Sequence, residues 1–434
     1  MKKYLLLFVS AILMANLLVA QVTPTVVASG FSNLIGVNFD IDGNLWVGEM
    51  GSGNDDGQIT IIDLLGNKTV FMTGLPSNTS AETGETSGPY RALQMPDNKV
   101  LILSGEGPHA QAEALLVVDK TSFTPGTPFT LANVEQTISI GEFMHPQGFV
   151  NCNPFNVTWD ADGQMYIADS GGNSLLKRDK NTGELSIIAT LPDFANPLPF
   201  GPPMVNPVTT KILPKPDGSF YVCQLTGFPF ISGMANVYNL AADGTSSVHQ
   251  GGFTCLTDMN FDPSDGNLCV GQFGTFGPVD TTFGFQLGTA MVIKLMPDGS
   301  HDTLTTGIGG LSSSFTFAPN GNLYVTDLVF GQVLKYSFNT PVQDLPISNT
   351  SVHVSPNPCT EKATITYSLS RAVGIDAGIY DLQGRCVARF ALGTQAIGQH
   401  QIDWTPDVSL PNGVYVWRLL ADKALESGTV VLSR

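Results

Sequence analysis

The chain is short of positive charge. Lys+Arg 20 against Asp+Glu 37 give a formal net charge of -17 over 434 residues, and no basic run follows the first three positions. A polyanion needs a basic surface, so nucleic acid and anionic membrane are excluded as expected partners. Charge of either sign is sparse, at 13% of residues. After the N-terminal twenty residues no window approaches a membrane-spanning apolar run, so no transmembrane segment is expected in the mature chain. Windows long enough for a helix and free of glycine and proline are also scarce. With Gly 46 and Pro 28, the composition points to a turn-rich β protein. The six cysteines (Cys152, Cys223, Cys255, Cys269, Cys359 and Cys386) contain no C-x-x-C pair or zinc-like cluster. Their spacing leaves disulfide pairing open, although Cys223 and Cys269 lie in strand-like runs and read as buried thiols. No G-x-S-x-G elbow, P-loop or dinucleotide fingerprint is present, which removes the best-marked routes to serine hydrolysis and nucleotide chemistry. No metal or cofactor is implied.

What the chain does have is one hairpin, repeated. Val157 to Asp169 reads V-T-W-D-A-D-G-Q-M-Y-I-A-D, two alternating runs around an Asp-Gly turn. Val37 to Glu49 and Phe315 to Asp327 repeat it closely, Met259 to Gln272 carries one extra residue, and Ala92 to Glu106 and Ile212 to Gln224 are degenerate copies. The turn residues Asp42, Asp97, Asp162, Asp217, Asp265 and Asn320 recur at roughly 50 to 65 residues. A second pair of strand-like runs follows most hairpins, so each repeat reads as a four-stranded antiparallel meander, the blade of a β-propeller.

The expected architecture is therefore all-β, a six-bladed propeller over residues 21–340. Its last repeat is one strand short, and Thr25 to Ser29 is a spare strand at the other end. Letting that strand complete the sixth blade closes the ring and removes its exposed edges. Met1-Lys2-Lys3 before the apolar run Leu5 to Ala20 reads as a signal peptide, residues 1–20. Long insertions rich in Pro, Phe and Asn occupy 121–154 and 192–207. After a polar linker, 341–350, residues 351–434 read as a compact β-sandwich.

The terminal segment carries Ser355-Pro356-Asn357-Pro358, Ile379-Tyr380-Asp381-Leu382 with Gly384-Arg385, Trp404, and Leu410-Pro411-Asn412-Gly413-Val414-Tyr415. In this order at the extreme C-terminus they resemble the sorting domain of the Bacteroidetes type IX secretion system. The resemblance implies export through the periplasm, recognition of residues 351–434 by the type IX machinery, and release from or attachment to the outer-membrane surface. The repeats resemble the ScyD/ScyE-type propellers and, more distantly, other NHL-like six-bladed propellers. That likeness supplies no catalytic residues.

Chemistry on such a ring is expected at the face where first strands begin and second strands end. The first strands bring Gly36, Arg91, Asn156, Lys211, Asp258 and Ser314 there; the second strands end in Glu49, Glu106, Asp169, Gln224, Gln272 and Asp327. The candidate ligand contacts are Arg91, Asn156, Lys211 and Asp258, with Glu49, Glu106 and Asp169 beside them. The competing reading makes the strand-end carboxylates caps for backbone N–H groups. Asp40, Asp42 and Asn44 begin like a calcium loop, but the position needing a bidentate acid is Gly51, so an Asp-Gly turn suffices. Gluconolactonase-like propellers hold a divalent metal at first-strand starts; the matching positions, Ile35, Phe155 and Thr257, cannot bind one, while Asn156 and Asp258 lie one residue away. His109 and His145 flank the same face near Glu106. Two function classes follow. The leading one is a binding or scaffold module for a small molecule, glycan or surface protein. The alternative is a lyase or hydrolase with carboxylate acid–base groups at the central face.

Overall fold

A computed structural model describes residues 22–215, 217–241, 243–338, 352–369, 372–381, 386–421 and 424–434. The expected signal peptide, the linker and Gly384-Arg385 lie outside the described residues. Two compact units divide between Phe338 and Asn339.

The first unit holds six four-stranded antiparallel sheets. Their innermost strands are Leu34–Phe39, Pro89–Gln94, Pro154–Trp159, Thr209–Pro214, Leu256–Phe261 and Phe315–Phe317, and we number the blades 1 to 6 in that order. The hairpin turn explains the repeat. In blade 3, Asp160 Oδ1 accepts the amides of Asp162 and Gln164, each at 2.9 Å, while Oδ2 accepts the Tyr166 hydroxyl at 3.0 Å. Gly163 completes the turn at φ 80°, where a side chain would be strained. Asp40 does the same in blade 1, holding the amides of Asp42 and Asn44 and the Trp46 indole N–H. The aspartates that open like a calcium loop are thus turn scaffolding.

Alternation along each strand becomes packing between blades. In Lys99–Ser104, Val100 and Ile102 pack with Trp46, Ile59 and Phe71 of blade 1, whereas Leu101 and Leu103 pack with Val157, Met165 and Ile167 of blade 3. Both faces are buried, so the strand reads as a nearly continuous apolar run. The ring closes through Thr25–Ser29, which pairs antiparallel with Gln332–Tyr336 as the outermost strand of blade 6. Ala28 and Phe31 pack there with Leu34, Val37 and Val333, joining first blade to last.

The insertions differ in part from expectation. Val134–Ser139 is the fourth strand of blade 2, concealed in the sequence because its residues are mostly exposed and polar. A short helix, Ile140–Met144, follows it, capped by Ser139. The 192–207 insertion holds a minimal pairing of Phe194–Ala195 with Met204–Val205. Two further hairpins, Asn78–Thr79 with Thr86–Ser87 and Thr275–Val279 with Thr282–Gln286, have no counterpart in the repeat.

The second unit is a sandwich. One sheet orders His353–Ser355, Ala363–Leu369 and Gly398–Trp404; the other orders Cys386–Gln395, Val373–Tyr380, Gly413–Ala421 and Ala424–Leu432. Ile365, Tyr367, Ile379, Trp404, Tyr415 and Trp417 fill the space between them. The motif residues are latches: Asn357 accepts the Val431 amide at 2.8 Å and donates to Thr429 O at 3.0 Å, and Asn412 accepts the Arg434 amide at 2.9 Å.

The axis of the ring is occupied by protein. In blades 1 to 5 the pairing of first and second strands is interrupted by a one-residue bulge, at Ile35, Tyr90, Phe155, Thr210 and Thr257. A bulge re-aims the side chain that follows it, here Gly36, Arg91, Asn156, Lys211 and Asp258. Blades 2 and 5 face each other across the ring, and Arg91 Nη2 meets Asp258 Oδ2 at 2.6 Å. Lys211 Nζ reaches Asp258 Oδ1 at 3.0 Å, and Ser314 Oγ of blade 6 donates to Oδ2 at 2.8 Å. The Met259 and Phe315 amides complete the carboxylate's shell. In blade 1 Gly36 leaves room: a Cβ there would run into the Tyr90 carbonyl and Arg91 Cγ. Burial alone would raise the Asp258 carboxyl, but Arg91 and Lys211 override it and hold it down to about 2. Burial also lowers Lys211, against the pull of Asp258.

Two outcomes follow from this construction. Deleting Thr25–Ser29 bares the edge at Gln332–Tyr336 and should lower the propeller's unfolding midpoint in a thermal or denaturant scan; an unchanged midpoint would show that closure resides elsewhere. Asp258→Asn leaves two buried cations without a counter-charge and should cost about 3–5 kcal/mol. Because the folded pKa is depressed from 3.8 to about 2, this stabilisation is present above 3.8 and fades as pH falls toward 2. The wild type should therefore lose stability across that window by an amount the variant does not.

Candidate functional site

The second strands end in groups that mostly face backbone. Glu49 accepts the Ser32 amide at 3.0 Å, Gln58 Nε2 at 2.9 Å and Thr60 Oγ1 at 2.6 Å. Asp169 accepts the amides of Asn153 and Gly172, and Asp327 those of Gly310 and Phe330, each at 3.2 Å. In blades 1, 3 and 6 the acid thus holds the loop that enters its own blade. The amides of Gln224 and Gln272 donate to the carbonyls of Met234 and Thr289. Burial pushes Asp169 up to about 6 despite its amide donors.

Blade 2 differs: its second strand ends at Ser104, paired with Pro89, where blades 1, 3, 4 and 5 pair Glu49, Asp169, Gln224 and Gln272, so Glu106 lies two residues beyond the strand end expected from the sequence. Among the described residues no backbone amide caps it, and it stands in the wall of a cavity of about 670 Å³. The cavity lies among the loops that join blades 1 to 4, with Glu82, Glu85 and Glu113 as its other acids and Asn151 and Asn153 among its amides. No Lys or Arg lines it. Desolvation, then repulsion from Glu85 and Glu113, raise the Glu106 carboxyl above its ordinary value, and the Ser87 hydroxyl draws it partly back. Ser87 Oγ also accepts the buried Tyr90 hydroxyl at 3.1 Å. Asn153 Oδ1 is buried with no hydrogen-bond partner.

A second group adjoins this wall. Glu113 takes φ 51°, in the left-handed region that side chains disfavour by about 1–2 kcal/mol. Its backbone is fixed there: its amide donates to Gly105 O, and its carbonyl accepts the Ile140 and Gly141 amides at 2.9 and 3.1 Å. The helix those amides begin carries His145 just past its end, and His145 Nε2 meets Glu113 Oε2 at 2.7 Å. His145 Nδ1 contacts Phe149 O at 2.9 Å. That carbonyl and the Glu113 carboxylate raise the imidazole's pKa. Cys152 is fully buried beside them, and burial with the charges of Asp169 and Glu113 pushes its thiol up to about 12. One ligand atom from each of Glu113, His145 and Cys152 lies within 4.8 Å of the others.

The sequence-derived candidates therefore separate. Arg91, Lys211 and Asp258 are brought together but bind one another; Asn156 is buried at the same level, its Oδ1 without a partner. Glu49 and Asp169 cap loops, and Glu106 faces the cavity. His109 folds onto its own loop, its Nδ1 accepting the Gln111 amide at 3.0 Å. Glu85, Glu113 and Cys152 were not singled out by sequence, because they stand in irregular connections outside the repeat. All six cysteines are free thiols, and Cys223 and Cys269 are buried in their strands.

Residues 353–433 match the secretion system C-terminal sorting domain. No curated protein matches the chain. Among solved structures, a structural genomics protein of unknown function from Bacteroides thetaiotaomicron is 16% identical over 73% of this chain and 72% of that one, with TM-score 0.46. Regucalcin, a calcium-binding protein from Agrobacterium tumefaciens, is 14% identical over 73% and 94%, with TM-score 0.45. Virginiamycin B lyase from Staphylococcus aureus is 9% identical over 80% and 96%, with TM-score 0.42. These likenesses transfer no residue roles. Among the described residues no helix is long and apolar enough to cross a membrane. The terminal unit is a secretion-system sorting domain, and the protein is exported through the periplasm to the outer surface or beyond it.

Proposed function

We propose that the protein is an exported lyase or hydrolase whose acid–base group is Glu106, acting in the cavity among the loops of blades 1 to 4. One observation carries this reading: Glu106, two residues past the end of its strand, lacks the backbone capping of Glu49, Asp169 and Asp327 and faces a cavity, with its proton affinity raised by burial and by two neighbouring acids. A carboxylate so placed is a better proton acceptor at neutral pH than a solvated one. Four glutamates without a lining cation disfavour anionic substrates and favour neutral or cationic ones. Asn153, whose Oδ1 is buried without a partner, also stands in the cavity wall. Arg91 and Lys211, spent on Asp258, are left out of the chemistry.

The test is turnover by the secreted protein on a panel of neutral lactones, aryl esters, amino-sugar oligosaccharides and uronate oligosaccharides. Proton release and new unsaturation are followed. Activity should favour the neutral and cationic members, weaken with salt for the cationic ones, and fall about 100-fold or more in Glu106→Gln with the fold unchanged. The acidic limb of the kcat/KM profile should lie above the ordinary carboxylate value, since the free carboxylate is the active form. Compounds that bind but are never turned over, or turnover indifferent to Glu106→Gln, would return the cavity to a binding role.

A further inference from the structure

We propose that Glu113, His145 and Cys152 form a binding site for a divalent transition ion of the zinc type. This goes beyond the acid–base reading and stands without it. The donor set is one carboxylate oxygen, one imidazole nitrogen and one sulfur, from two connections: Glu113 precedes the third strand of blade 2, and His145 and Cys152 lie in the chain from blade 2 to blade 3. Such a mixed set suits zinc and its first-row neighbours rather than the oxygen-seeking calcium or magnesium.

Three features of the geometry support a built site. His145 Nδ1 lies 2.9 Å from Phe149 O, the contact that places the ring proton on Nδ1 and leaves the Nε2 lone pair for a metal. Nε2 points at Glu113 Oε2, 2.7 Å away. Ligands on a tetrahedral zinc stand about 3.3–3.6 Å apart, so binding opens this contact and draws in the Cys152 sulfur, which lies within 4.8 Å of both atoms, by side-chain rotation. Second, the helix residue beside these atoms is Gly141. A Cβ there would collide with Glu113 Oε2 and lie 3.1 Å from His145 Nε2. Gly141 does not take a positive φ, and alanine is the better helix former, so glycine at this position serves space rather than backbone. Third, Glu113 is held in the left-handed region by the two amides that open the same helix, which orients the carboxylate before any ion arrives. On binding, the Cys152 thiol releases its proton to solvent as the metal–sulfur bond forms, and the proton between Nε2 and Glu113 Oε2 leaves to solvent as well, so that Nε2 binds as the neutral imidazole. Three protein ligands leave a fourth position for water or substrate, and Glu113 already belongs to the cavity wall.

The probe is cobalt(II) added to the full secreted protein carrying Cys386→Ser, which removes the one exposed thiol. One equivalent should bind and give a thiolate-to-cobalt charge-transfer band in the near ultraviolet, with visible bands of tetrahedral intensity, and zinc should displace it. Cys152→Ser should abolish the charge-transfer band, and His145→Ala should weaken binding at least tenfold. Gly141→Ala keeps every ligand and should also weaken binding at least tenfold, which guards against a ligand variant that fails to fold. Glu106→Gln should leave the spectrum intact, so loss of turnover in that variant and loss of the ion in the others are separate results. A wild type without the charge-transfer band, a band that survives Cys152→Ser, or undiminished binding in Gly141→Ala would overturn the site.

Discussion

One carboxylate, Asp258, neutralises two cations that converging strands force into a single space. The first strands of the six blades meet at the axis, and the bulge in five of them turns the next side chain inward. Arg91 and Lys211 cannot both reach solvent from there, so their charges must be met inside. A buried ion pair is a poor source of net stability, because desolvation consumes most of the attraction. What it does make is a tie across the ring, since Arg91 of blade 2 finds its acid on blade 5. Gly36 completes the arrangement by having no side chain to compete for the same volume.

A filled axis moves the chemistry outward. Strand-end acids in blades 1, 3 and 6 are saturated by the loops they hold, and a saturated carboxylate has little left to offer a ligand. In blade 2 the second strand ends at Ser104, paired with Pro89, so Glu106 lies two residues past the capping position and stands in the cavity wall beside the acids of the inserted hairpin Asn78–Ser87. The capping acids and the uncapped one thus differ in place: the first are held at the end of the strand, and the second stands in the connection beyond it.

This also accounts for what the sequence could and could not reveal. The hairpin is legible because Asp160 and Gly163 do their work within five residues, and local chemistry leaves a local signature. Ring closure is legible as a count of strands, one missing and one spare. Arg91, Lys211 and Asp258 stand out because charge at a repeat position is not consensus, but that they answer one another is long-range information: Arg91 and Asp258 are separated by 167 residues. Val134–Ser139 escapes notice because an outermost strand with polar, exposed side chains carries no burial alternation. Glu113 and Cys152 escape for a related reason. They belong to connections whose shape is set by tertiary contacts, and no short-range pattern records where such loops end.

The loops that build the candidate site are nevertheless among the better anchored parts of the ring. Glu113 is tied through its own carbonyl to the start of the Ile140–Met144 helix, which carries His145 at its other end. Cys152 precedes Asn153, whose amide is gripped by Asp169, so an axial-face cap in blade 3 also fixes the position of the buried thiol. Asp169 therefore contributes to the site as a positioning residue while keeping the capping role that its sister acids show. One strand alone cannot bring neighbouring residues to a single point, because its side chains alternate on a fixed pitch. Irregular connections can, provided the ring holds their ends, and here Asp169, one of the strand-end carboxylates that mark the repeat, holds the end that carries Cys152.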